Sequence, residues 1–97
     1  MEFIPKRMKL AMFLKNETVT SLAVKTGLSK QSISKFKDGE LMPSKRAMIL
    51  LKVILDFPEN FFSCTYINIY EDHFGYEIKC ATGEKITIPY KNKNGRV

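Results

Sequence analysis

Ninety-seven residues limit this chain to one small domain, or a helical domain with a small appendage, and a hydrophobic share of 44% excludes global disorder. Sixteen Lys and Arg stand against ten Asp and Glu, a formal +6; residues 1–60 hold eleven basic and six acidic side chains, residues 61–97 five and four. An excess of this sign suits a polyanionic partner, although charge alone fits a merely soluble basic surface equally well.

Met1-Glu2-Phe3-Ile4-Pro5 lacks the basic-then-apolar order of a signal peptide. The longest apolar run, Ala47 to Phe57, is broken by Lys52 and Asp56 and is too short to span a bilayer. A cytoplasmic location is therefore expected, with Cys64 and Cys80 as reduced thiols that lack partner residues at zinc-site spacing.

A first helix is predicted from Pro5 to Lys15, with Pro5 in the first turn, where its missing N–H costs nothing. Met8, Ala11, Met12 and Leu14 give it an apolar face, and Lys6, Lys9 and Lys15 stay solvated. A second runs Val19 to Thr26, with Thr18 as N-cap and Leu22 and Ala23 offered to the core. Gly27 then ends it in the left-handed conformation that costs glycine least. Leu28 plugs the turn, Ser29 caps a third helix from Lys30 to about Lys37, and Asp38-Gly39 stops it. Two helices joined by about three residues follow the helix-turn-helix plan. Ile33 and Phe36, three apart, share the buried face of the third helix. Lys30, Gln31, Ser34 and Lys35 are left on the opposite face.

Pro43-Ser44 opens a fourth helix, Lys45 to Leu55, with Ser44 as its cap. It is more apolar than one buried face requires: Ile49, Leu50, Val53 and Ile54 form a second stripe that a second subunit or the C-terminal segment must cover. Phe57 to Phe62 reads as a short fifth helix with Pro58 in its first turn, and Phe61 and Phe62 as core or dimer contacts.

The ordered set Arg7-Met8-Lys9, Thr18, Leu22-Ala23, Gly27-Leu28-Ser29, Ser32-Ile33-Ser34, Gly39, Pro43-Ser44 and the apolar run from Ala47 to Leu55 resembles the phage-repressor and Cro family of helix-turn-helix proteins (XRE-like) over about residues 5–62. The resemblance implies a five-helix, lambda-repressor-like DNA-binding domain over residues 1–62, with Met48, Leu51 and Leu55 facing the bundle. It places base reading on Lys30, Gln31 and Lys35, with Ser32 or Ser34 in support. The chemistry agrees, since Gln bonds adenine through N6 and N7 and Lys donates to guanine O6 and N7. Ser29, Ser32, Lys37, Lys45, Thr18 and Thr20 are the candidates for phosphate. Two positions depart from the family. Val19 stands where a phosphate-bonding Gln is usual, and Met12 and Lys37 replace a buried Arg–Glu pair.

From Cys64 the period changes to two. Thr65–Tyr70, Tyr76–Ala81 and Lys85–Tyr90 read as strands of a three-stranded antiparallel meander over residues 63–90. Ile78, Cys80, Ile86 and Ile88 share an apolar face, and Pro89 confines the last strand to an edge. A sheet this small is marginal alone and is expected to dock on helix four, pair with its copy in a second subunit, or both. Cys64 and Cys80 come near each other if the first turn centres on Asp72. His73 sits in that turn as a solvated residue. Residues 91–97 read as a basic flexible tail.

The fold class is thus mainly α with a small β appendage. The expected function is a sequence-specific DNA-binding transcriptional regulator: a dimeric repressor of a phage, plasmid or other mobile-element promoter in bacteria, bound to an inverted-repeat operator. The alternative is a protein-binding module, antitoxin-like or an inhibitor, using the apolar face of helix four or the sheet edge. No catalytic constellation, metal-ligand spacing or cofactor loop is legible, so neither an enzyme nor a cofactor is expected.

Overall fold

A computed structural model describes residues 3–90, in two compact units divided between Cys64 and Thr65. The first holds α1 (Pro5–Leu14), α2 (Val19–Thr26), α3 (Lys30–Asp38), α4 (Lys45–Leu55) and a 3-10 turn, Glu59–Ser63. The second is a three-stranded antiparallel sheet of β1 (Ile67–Glu71), β2 (Gly75–Cys80) and β3 (Lys85–Pro89), in that order. The fold is mixed, with helices followed by the expected three-stranded antiparallel sheet, and the tail assigned to residues 91–97 lies outside the described residues.

Local chemistry sets the helix ends. Thr18 Oγ1 accepts the Ser21 N–H at 3.0 Å, and Ser21 Oγ accepts the Thr18 N–H at 2.8 Å, a reciprocal capping box. Ser29 and Ser44 cap α3 and α4 through the N–H groups of Ser32 and Ala47. Gly27 and Gly39 end α2 and α3 at φ +77° and +79°. Asp56 takes the same role after α4, at φ +58°, a conformation the short polar side chain of Asp tolerates.

Within the helical unit α2 packs on α3 and α4, and α1 packs on α3 and the 3-10 turn. Met8, Ala11, Leu22, Ile33, Leu51 and Leu55 are shut off from solvent. Leu14 is only half-buried, as is Met48, and Ala47 takes the inward position expected of Met48. Ala47, Leu51 and Leu55 recur every four residues and form one stripe, which leaves Met48 on its flank. The predicted fifth helix is not an α-helix. Pro58 precedes it with extended backbone, and the segment closes with i to i+3 bonds, the Phe61 N–H to the Pro58 carbonyl at 3.0 Å and the Cys64 N–H to the Phe61 carbonyl at 3.3 Å. The unit therefore has four α-helices.

The short turn packs its two rings inward. Phe57 stacks on Phe61 at 4.3 Å between centroids, Phe62 meets Phe61 edge-on at 5.5 Å, and Phe3 lies against Phe62. Both ends of the unit are tied together here. Ile4 N–H donates to the Phe62 carbonyl at 2.7 Å, and Arg7 Nε to the Cys64 carbonyl at 2.8 Å.

In the sheet, Ile78 pairs with Ile69 and Ile86, and Cys80 with Ile67. Ile78, Cys80, Ile86 and Ile88 share one face as predicted, with Ile86 half-buried and the other three buried. The strand bounds shift: β1 begins two residues later than Thr65, and β2 begins one earlier than Tyr76, at Gly75. Asp72 Oδ1 accepts the N–H groups of Phe74 and Gly75 and fixes the turn. A Cβ on Gly75 would lie 2.1 Å from the Ile88 carbonyl oxygen, so only glycine fits where β2 passes β3. Pro89 closes β3 opposite Gly75, on an edge strand. Neither Cys64 nor Cys80 forms a disulfide, and both are buried.

Candidate nucleic-acid interface

The stretch from Thr18 to Ser44 builds an exposed polar helix face. Thr26 is buried, and its hydroxyl donates to the Leu22 carbonyl at 2.6 Å and accepts the Leu28 N–H at 3.2 Å, so the turn leaves no unsatisfied hydroxyl behind. Ser29 then starts α3, which Ile33 and Phe36 anchor by burial. With those two side chains fixed, the 3.6-residue period turns Gln31 and Lys35 outward. Lys30 and Lys35 are exposed with Gln31, while Ser34 and Lys37 are half-buried.

Ion pairing divides the lysines of the chain. Lys25 is paired with Glu17, Lys52 with Glu59, Lys15 with Asp56 and Lys85 with Glu77. Among the described residues, Lys30, Lys35 and Lys37 have no ion-pair or hydrogen-bond partner. Three ammonium groups on nine residues of helix therefore remain available to an external anion. Met12 is buried in the core and brings no charge to the helical bundle.

The phosphate candidates divide. Ser29 Oγ accepts the Ser32 N–H at 3.0 Å and donates to Ser32 Oγ at 2.9 Å, so capping absorbs it and the Ser32 hydroxyl holds the outward proton. Thr18 is engaged as an acceptor in its capping box and keeps its O–H for donation, and Thr20 is exposed. Lys45 is exposed and lines a groove of about 520 Å³ with Met42, Met48 and Ile49.

Sequence reasoning missed three polar residues. Glu17 sits just before α2, where its carboxylate accepts from the Ser21 hydroxyl and from Lys25 Nζ. Asp38 is exposed on the outer stripe of α3, seven residues after Gln31; the i+7 spacing was the signal. Arg46 is exposed beside Lys45 and has no partner among the described residues.

The residues assigned to docking separate as well. Ile49 and Val53 are 56% and 66% exposed, with Leu50 and Ile54 half-buried. Phe61 and Phe62 are fully buried and cannot meet a second subunit; they belong to the core of the chain itself. Among the described residues no group of His, Cys, Asp and Glu could hold a metal ion, and no helix is long and apolar enough to cross a membrane. No family model matches the chain, and searches of curated proteins and of solved structures also return no match.

Proposed function

We propose that this chain is a sequence-specific DNA-binding regulator of the lambda-repressor-like helix-turn-helix type, acting as a homodimeric repressor. The observation that carries the reading is the cationic face of α3: three lysines without a carboxylate partner, Lys30, Lys35 and Lys37, cluster on nine residues of one helix. In this reading α3 lies in the major groove, Gln31 and Lys35 read base edges, Lys30 and Ser34 support them, and Lys37 and the Ser32 hydroxyl hold phosphate. Two copies meet an inverted repeat whose half-sites lie about 34 Å apart on one face of the duplex. The test is binding to the DNA upstream of the chain's own gene against random DNA, across a salt series. Preference for one fragment, with an inverted repeat in the footprint, supports the reading; weak, equal and steeply salt-dependent binding to both counts against it.

A second reading is favoured by the apolar stripe of α4. Ile49, Val53 and the neighbouring Met42, 61% exposed, open a surface that suits a protein partner. A stoichiometric protein complex without DNA binding supports it.

A further inference from the structure

β1 is an edge strand of the sheet, and among the described residues no strand pairs with its outer side. The Tyr66 carbonyl accepts the Ala81 N–H and the Asp72 N–H reaches the Gly75 carbonyl, each at 3.0 Å. Even-numbered residues of the segment thus turn their backbone groups toward β2, and Ile67, Ile69 and Glu71 turn theirs to the open edge. The other edge, β3, is guarded by Lys85 and ended by Pro89, two common defences against edge-to-edge pairing. β1 has neither. It has no cation and no proline, and Tyr66, Ile69 and Tyr70 are 78%, 44% and 54% exposed.

The segment Tyr66-Ile67-Asn68-Ile69-Tyr70 reads the same in both directions. We infer that a second copy of this chain pairs with β1 edge to edge, antiparallel, about a two-fold axis at Asn68. In that register Tyr66 faces the partner copy's Tyr70, Ile67 faces its Ile69, and the two Asn68 side chains meet. Ile67 and Ile69, the residues with outward backbone groups, become the hydrogen-bonded pairs, and Asn68 becomes a non-hydrogen-bonded pair. Charge agrees with this alignment. The one charged residue of β1, Glu71, falls opposite Thr65 of the other copy, and the two carboxylates lie at opposite ends of the paired strands. A parallel pairing would set Glu71 against Glu71, and a shift of the two-fold to Ile69 would set it against Ile67. The inference deepens the homodimer reading above and rests on it for the identity of the occupant.

The test uses the full chain without DNA. Asn68→Cys places two thiols across the axis, where Cα atoms of a non-hydrogen-bonded pair lie about 4.5 Å apart, within disulfide reach. Ile69→Cys places them two residues out of register, beyond the roughly 7 Å limit. Mild oxidation should link the first variant into dimers through residue 68, identified by mass spectrometry of the linked peptide, and leave the second monomeric on a denaturing gel. Ile69→Pro removes an outward N–H that the sheet does not use, and should turn the dimer seen by analytical ultracentrifugation into monomer with unchanged helical circular dichroism. A wild-type monomer, or a dimer that does not link at residue 68, overturns the inference whether or not the proline variant folds. DNA binding of the wild type is scored separately. Operator binding with a dimer formed elsewhere sinks the strand pairing alone, and a residue-68 dimer that ignores DNA sinks the regulator alone.

Discussion

Lys25 reaches back eight residues to Glu17, with Nζ 2.5 Å from Oε2. Its charge is therefore met inside the chain, one turn of backbone away from a helix whose lysines have no such partner. Lys25→Ala should leave DNA affinity nearly unchanged. Lys35→Ala or Gln31→Ala should weaken specific binding by about 1–3 kcal/mol and relax the choice at one base position. Lys37→Ala should weaken binding to all sequences alike and lower the salt slope by about 1. Titrations of the four variants against specific and random DNA separate these outcomes, and equal losses on both DNAs for Gln31→Ala would remove its reading role.

The two helix-ending glycines should respond differently to the same change. A Cβ on Gly27 meets nothing within 4 Å, so Gly27→Ala carries only the left-handed backbone penalty of about 1–2 kcal/mol. At Gly39 the same Cβ lies 3.2 Å from Pro5 Cγ, and the start of α1 must give way in addition. Denaturant unfolding should rank Gly39→Ala below Gly27→Ala in stability.

Phe62→Ala should cost about 3–5 kcal/mol, because it opens a cavity among Phe3, Phe57 and Phe61. Val53→Ser, on the exposed stripe of α4, should fall within about 0.5 kcal/mol of the parent. Thermal unfolding of both variants checks the division between core and surface. A costly Val53→Ser at low protein concentration would place that side chain inside the monomer.

On the sheet, the Glu71 carboxylate accepts the Tyr90 hydroxyl, and Tyr90 also meets Tyr76 edge-on. The hydrogen bond to Glu71, followed by partial desolvation and the nearby negative charge, pushes the phenol from 10.0 up to about 12. Its raised value means that the folded chain keeps a proton the unfolded chain releases. The contribution is whole below pH 10 and is lost as pH rises toward about 12. An ultraviolet titration should show one of the four tyrosines ionising late, and Tyr90→Phe should remove that step.

Helix positions were legible because their signals are local. Thr18, Ser29, Ser44, Gly27 and Gly39 act within four residues of where they stand, and the bounds of α2 and α4 match the sequence reading. The buried face of α3 was legible from the spacing of Ile33 and Phe36. The 3-10 form of Glu59–Ser63 was not, since a five-residue segment carries too little periodicity to separate i+3 from i+4 bonding. The burial of Phe61 and Phe62 was left open because aromatic pairs serve core and interface alike. Register was equally illegible: the start of β2 at Gly75 follows from a backbone approach to Ile88 that no pattern of side chains announces. Glu17 and Asp38 were overlooked because they flank the helix pattern and took no part in its apolar period.

The bonds from Ile4 to Phe62 and from Arg7 to Cys64 join positions 57 or 58 residues apart and make the helical unit a closed ring in all but covalent terms. Chain ends ordinarily fray separately and cheaply. Here the first turn of α1 and the last residues of the unit open together, because each provides the other's acceptor or donor. Amide exchange at Ile4 and Arg7 should therefore slow and quicken in step with that of Phe61 and Cys64. A cut made after Phe62 would take away the carbonyl that Arg7 holds, and the loss would be felt at the opposite end of the sequence.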